Sequence, residues 1–268
     1  MRKINGSCNI IFVGIISVFT AFLLALIISS IGMVLIKGLP NLRTSFENPE
    51  IRFALKLSIY TSVISTLFCI FFSVPIAYFL VRFNFWGKKI INTIIDIPMA
   101  LPPNVSGISL LILFGSTAFG EYLDKIGLSF IFTQKGIIIA QFFINAPYMI
   151  RILKSTMEDI DPRLEFVART LGCSRAKSFF KVTLPLAKNG LTASIVITWA
   201  RALGAFGAVL MIAGATRMKT ETLPVSLYLT LSCGEIDVAL SVATILIIIS
   251  ILSLVIFELL GSKESFKN

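Results

Sequence analysis

The sequence contains no histidine, and acids are scarce, with 14 Asp and Glu against 24 Lys and Arg among 268 residues. The missing imidazole removes the commonest general base and metal ligand, which weighs against hydrolase and zinc chemistry. Four cysteines, Cys8, Cys69, Cys173 and Cys233, show no CxxC spacing and two of them lie inside apolar runs, so neither a disulfide framework nor a metal site is expected. No phosphate-binding GxxxxGKS or GxxxxGKT, no HExxH, no GxSxG and no clustered acidic pair occurs. The chain therefore has no ATPase site of its own and no recognisable enzyme site. Polar surface is short as well: charged residues make up 14%, too few to coat a soluble domain.

What is abundant is apolar. Hydrophobic residues reach 56%, and the mean hydropathy of +0.91 makes lipid part of the solvent. Runs long enough to cross ~30 Å of hydrocarbon occur at 10 to 36, 57 to 81, 94 to 114, 136 to 152, 189 to 213 and 237 to 260. The fold expected is all-α and integral to a membrane, with about six transmembrane helices in one membrane domain over residues 1–268. The first run follows Arg2 and Lys3 but is too long for a signal-peptide core, so it reads as a retained helix.

The basic residues sort by side. Arg2, Lys3, Arg82, Lys88, Lys89, the eight between Arg151 and Lys188, Lys263 and Lys267 fall together. Lys37, Arg43, Arg52, Lys56, Lys125, Lys135, Arg217 and Lys219 fall opposite, and Arg201 lies inside a span. The positive-inside rule puts both termini and the 153–188 loop in the cytoplasm. Basic charge arranged this way addresses a bilayer, not nucleic acid.

Residues 161–172 of that loop are punctuated as a helix: Asp161 caps it, Pro162 suits its first position and Gly172 its left-handed stop. Leu164, Val167, Ala168 and Leu171 follow helical spacing, giving one apolar face on a helix otherwise lined by Arg163, Glu165 and Arg169. A second short helix starts at Ser174 and carries Phe179, Phe180 and Val182. By periodicity alone the pair is either an amphipathic hairpin on lipid headgroups or a docking ridge for a partner.

The run Glu165-Phe-Val-Ala168-Arg169-Thr-Leu-Gly172, nine residues, then Val182-Thr-Leu184-Pro185 resembles the EAA loop of ABC importer permeases. It departs from that pattern in that Phe166 holds the motif's Glu position and the acid sits one place earlier, at Glu165. The segments Asp96-Ile-Pro98-Met-Ala-Leu-Pro102-Pro103-Asn104-Val-Ser106-Gly107, Ile131-Phe-Thr133-Gln-Lys-Gly136, Ala200-Arg201-Ala-Leu-Gly204-Ala205-Phe-Gly207 and Thr222-Leu-Pro224 resemble the molybdate/tungstate branch and its sulfate-type relatives, over roughly residues 55–260. That branch commonly has Glu where Ala205 stands.

The resemblance implies a prokaryotic cell-membrane permease that works as a homodimer with two ATPase subunits and an extracytoplasmic substrate-binding protein. ATP and Mg would be bound by the ATPase, and no cofactor by this chain. The 153–188 loop would carry the coupling helix, with Glu165, Ala168, Arg169, Gly172, Leu184 and Pro185. The substrate implied is a tetrahedral oxyanion, molybdate or tungstate, or alternatively sulfate.

Two spans carry chemistry at depth. Pro102 and Pro103 remove backbone donors inside span three, either as a kink that improves packing or as a break beside a cavity, where Asn104 and Ser106 would be neutral donors suited to an oxyanion. Ala200, Gly204 and Ala208 give span five a small-residue spacing that admits a close helix, and Arg201 lies about twelve residues in. A charge there costs ~3 kcal/mol or more if unpaired, so Arg201 is either a structural partner of Asp96 or a pathway residue. A gradient-driven transporter is the rival class, but Asp96, Asp237 and Glu258 all sit near span ends.

Overall fold

The structure, a computed structural model, describes residues 7–262 and the side chains of residues 12–255. Arg2, Lys3, Lys263, Lys267 and the side chains of Cys8 and Glu258 lie outside what is described. The regular elements of the described residues are all helices: α1 Ser7–Gly38, α2 Leu42–Glu47, α3 Pro49–Arg82, α4 Lys88–Ala100, α5 Pro103–Gly115, α6 Ala118–Lys125 and α7 Gln134–Glu158. There follow α8 Pro162–Thr170, α9 Arg175–Ser178, α10 Leu184–Leu186, α11 Lys188–Leu203, α12 Gly207–Ala213, α13 Leu223–Ser232 and α14 Ile236–Ser262. Four helices are long and apolar enough to cross a membrane, or six spans if each of two bent pairs is one.

The centre of the bundle is α3 against α7. Down α3, Ser58, Ser62, Ser65, Cys69, Ser73 and Ala77 form a stripe of small side chains at three- and four-residue spacing, none more than 1% exposed. Small residues let two backbones approach where no hydrophobic force drives helices together in lipid. Their hydroxyls are satisfied locally or across the seam: Ser65 Oγ donates to Ser62 O at 3.0 Å and Ser73 Oγ to Ala146 O of α7 at 3.4 Å. Toward the other end, Ser58 Oγ accepts the amide of Leu223 at 2.7 Å, fixing the start of α13. Phe72 and Phe79, by contrast, turn outward as an apolar face does in a bilayer.

The helix starts follow capping chemistry. Thr133 accepts the amide of Gly136 at 3.2 Å, and a side chain on Gly136 would fall 2.0 Å from Phe130 O, which accounts for the Thr-x-x-Gly of that segment. α1 is bonded to α14 near its last turn, where Thr244 Oγ1 donates to Val34 O and Ser241 Oγ to Gly38 O, both at 3.3 Å.

Spans three and five are bent far beyond a kink. α4 and α5 meet at 111° across Leu101–Pro102, and α11 and α12 meet at 57° across residues 204–206. The second bend corrects the small-residue reading of span five: α11 stops at Leu203, so Ala200, Gly204 and Ala208 do not share one helix face. Ala208 instead packs in α12 against Gly107 of α5, where a side-chain methyl would lie 2.7 Å from Ala208 O.

Candidate functional site

The loop between α7 and α11 has the local structure its residues prescribe. Asp161 Oδ1 accepts the amide of Arg163 at 2.9 Å, Pro162 opens α8, and Gly172 takes φ +88°, a left-handed stop that favours glycine. Ser174 Oγ accepts the amide of Lys177 at 3.2 Å. A wide π-type turn over Phe179–Thr183 then leads into Leu184 and Pro185. Leu164, Val167 and Leu171 stand on the outer side, Leu171 81% exposed, while Ala168 is half-buried. An apolar ridge in that state needs a partner to cover it.

Glu165 departs from the expectation that it lines the exposed side. It turns inward and is 8% exposed. Its Oε1 accepts from Arg82 Nε at 2.6 Å and from Thr183 Oγ1 at 2.6 Å, and its Oε2 accepts from Tyr78 OH at 2.9 Å. Arg82 also donates to Ile160 O at 3.2 Å, and Ser178 Oγ to the carbonyl of Glu165 at 3.3 Å. Burial by itself would raise the Glu165 carboxyl, but the hydrogen bonds from Thr183, Arg82 and Tyr78 and the Arg82 charge outweigh it and hold the group below the usual range. One carboxylate thus ties α8, the π-type turn and the end of α3 into a unit.

The second region is where the two bends meet. A Cβ on Gly207 would lie 2.2 Å from Asn104 Oδ1 and 3.2 Å from Pro103 Cβ, so the Pro-Pro-Asn break abuts the start of α12. Pro102, Pro103 and Asn104 are exposed, as are Gly204 and Arg201 one turn before it. Ser106 is not with them: it is fully buried and its Oγ has no hydrogen-bond partner. The expectation that Ser106 offers a donor to a passing anion is therefore not met in this conformation, because the close Gly107–Ala208 contact turns that face of α5 into the protein.

Arg201 is not paired with Asp96. Its Nε donates to Asn145 Oδ1 at 3.3 Å, and its guanidinium lies 3.6 Å above the ring centre of Tyr148. Asn145 is itself held, donating Nδ2 to Gln141 O at 2.8 Å, and Gln141 Nε2 donates to Ala202 O at 2.9 Å. Gln141, Asn145 and Tyr148 stand at i, i+4 and i+7 on α7, a polar face inside an apolar span that sequence reading passed over. Tyr78 and Arg82, four residues apart at the end of α3, were missed likewise.

The whole chain can be set beside known proteins on this geometry. Residues 69–263 match the family described as the binding-protein-dependent transport system inner membrane component. The chain belongs to this family. It is 35% identical to the molybdenum transport system permease protein ModB of Haemophilus influenzae, over 80% of this chain and 95% of that protein. It is 34% identical to a probable molybdenum ABC transporter permease of Haloferax volcanii, over 87% and 84% of the two. The sulfate transport system permease protein CysT of Escherichia coli is 32% identical over 81% of this chain and 78% of its own length. Among solved structures, a chain of a bacterial ABC transporter that imports alginate superposes with a TM-score of 0.76 at 18% identity, covering 95% of this chain and 96% of that one. The chain is thus an ABC importer permease, a membrane subunit and not itself an enzyme.

Proposed function

We propose that this permease forms the pathway for a tetrahedral oxyanion, molybdate or tungstate, with sulfate as the second reading. Arg201 carries the proposal: it is a cation inside a membrane helix, exposed beside two abutting helix breaks. With Nε on Asn145 and its face on Tyr148, the Nη edge is left for a ligand, and a planar two-donor edge suits an oxyanion. Pro102, Pro103, Asn104 and Gly204 line the same region as pathway or gate. Relatives named for molybdenum and for sulfate support the substrate class.

The working unit in this reading is a homodimer of one membrane domain per chain, in a prokaryotic cell membrane with the termini and the 153–188 loop cytoplasmic. Two ATPase subunits bind ATP and Mg, this chain binding no cofactor, and dock on the ridge of α8. Ala168, Gly172, Leu184 and Pro185 shape that contact, and Glu165 anchors it from beneath, with Arg169 beside it on the inner side of α8. An extracytoplasmic binding protein delivers the substrate; a related solved complex contains a substrate-loaded periplasmic protein.

Native mass spectrometry of the purified complex should give two permeases with two ATPases. Uptake of labelled molybdate or tungstate into vesicles should require ATP and loaded binding protein. Transport by the lone chain on an ion gradient would refute the proposal, and preference for sulfate would select the second reading.

A further inference from the structure

The 34 residues of α3 span ~50 Å at 1.5 Å per residue, well beyond the ~30 Å of hydrocarbon, so its ends stand among lipid headgroups. The Arg82 end is marked by aromatics: Phe79 stacks on Phe83 at 5.2 Å, Phe85 lies 5.1 Å from Phe79, and Trp86 is 97% exposed. Lys88 and Lys89 follow at once. A ring cluster beside lysines at a helix end belongs at a membrane–water boundary.

Beside this cluster, between α3 and the α8–α9 pair, is a cleft of about 350 Å³ walled in part by Tyr78, Arg82, Phe83, Arg169 and Arg175. Its one carboxylate, Glu165, is already held by Arg82, Tyr78 and Thr183. Arg169 lies 5.7 Å over the ring of Phe166 and Arg175 5.6 Å over that of Phe83. Among the described residues, neither guanidinium is within ion-pair distance of a carboxylate.

We infer that this cleft seats the phosphate of an anionic phospholipid headgroup, with Arg169 and Arg175 as its donors. Two guanidiniums oriented by stacking keep their edges for a phosphate, which their planar fork fits. A zwitterionic headgroup would bring its own cation into a cleft already positive, and basic pockets at the ends of membrane helices select anionic lipid for that reason. The occupant would sit between the loop and α3, fastening both to the bilayer. This inference does not depend on what the protein transports.

The test is native mass spectrometry of the delipidated full-length chain titrated with phosphatidylglycerol or with phosphatidylcholine of matched chains, each with and without inorganic phosphate. The expected result is several-fold greater retention of phosphatidylglycerol, falling to the phosphatidylcholine level in Arg169→Gln/Arg175→Gln, with Arg175→Lys intermediate. Lys88→Gln/Lys89→Gln should lower retention far less, because those lysines lie outside the cleft. Unchanged retention in the arginine variants, or an equal loss in the lysine variant, overturns the inference. Full displacement by inorganic phosphate would make this a soluble-anion site, and dependence on the arginines of ATPase assembly alone would make it a protein contact; either result overturns it too. If the double variant does not fold, the Arg175→Lys and lysine arms decide.

Discussion

Arg82, at the end of α3, donates its Nε to the carboxylate of Glu165 at 2.6 Å across 83 residues of sequence. The two side chains are 10% and 11% exposed, so each would be left a nearly buried charge without the other. Arg82→Leu should therefore destabilise the loop by about 3 kcal/mol, the scale for breaking a buried pair. Glu165→Gln, whose amide oxygen can still accept from Arg82 and Thr183 while its NH2 donates to the Tyr78 hydroxyl oxygen, should cost less than Arg82→Leu. Protease protection of the 161–183 segment and recovery of ATPase with the purified chain would measure both, and a larger defect in Glu165→Gln would refute the assignment.

The same carboxylate makes loop anchoring pH-dependent. Its folded-state pKa lies below the ordinary Glu value, so its contribution is fully present above that value, near 4.3, and is lost as pH falls through the folded pKa. Loop protection should stay flat from neutral pH down to the ordinary Glu range and fall only below it. In Glu165→Gln this acid step should shrink.

Gly172→Leu tests the stop after α8. A leucine at φ +88° costs about 1–2 kcal/mol in the left-handed region and should redirect α9 while leaving membrane insertion intact. ATP hydrolysis stimulated by loaded binding protein should drop. Wild-type stimulation would argue against this loop as the coupling element.

Gly107→Ala and Gly207→Ala separate two kinds of close contact. The first puts a methyl 2.7 Å from the backbone oxygen of Ala208 and should lower stability by about 1–3 kcal/mol, as overpacking does. The second meets the tip of a side chain, Asn104 Oδ1, at 2.2 Å, so adding Asn104→Ala should relieve it. Thermal melts in detergent of the two single variants, of Gly207→Ala with Asn104→Ala and of Gly107→Ala with Asn104→Ala should show rescue only for the Gly207 pair.

Arg201→Ala should cut oxyanion uptake about tenfold or more, the effect of losing a charged hydrogen bond worth about 1.5–3 kcal/mol, with the ATPase still bound. Arg201→Lys should restore uptake only in part. Asp96→Asn should leave assembly untouched, since Arg201 pairs with Asn145 and Tyr148. Normal uptake in Arg201→Ala would remove it from the pathway.

Features set by neighbouring residues were readable in advance. Asp161, Pro162, Gly172 and Ser174 act within a few residues, and the loop follows them. The break at Pro102–Pro103 was readable as well, but its 111° was not: prolines decide where backbone bonding stops, whereas direction comes from Gly107 seating on Ala208 about a hundred residues on. Glu165 misled because its partners lie 83 and 87 residues earlier. Opposite charge offers Asp96 as one of two readings for Arg201, yet a neutral amide and a tyrosine face sit where the arginine does.

The corner of one bent helix rests in the corner of the other, with Asn104 against Gly207. There is no room at Gly207 for even a methyl group between the two breaks, because Asn104 and Pro103 already fill that space. In a transporter, two walls joined at so close a contact must either move together or part between Asn104 and Gly207, so that contact is where an opening of the pathway would first be seen.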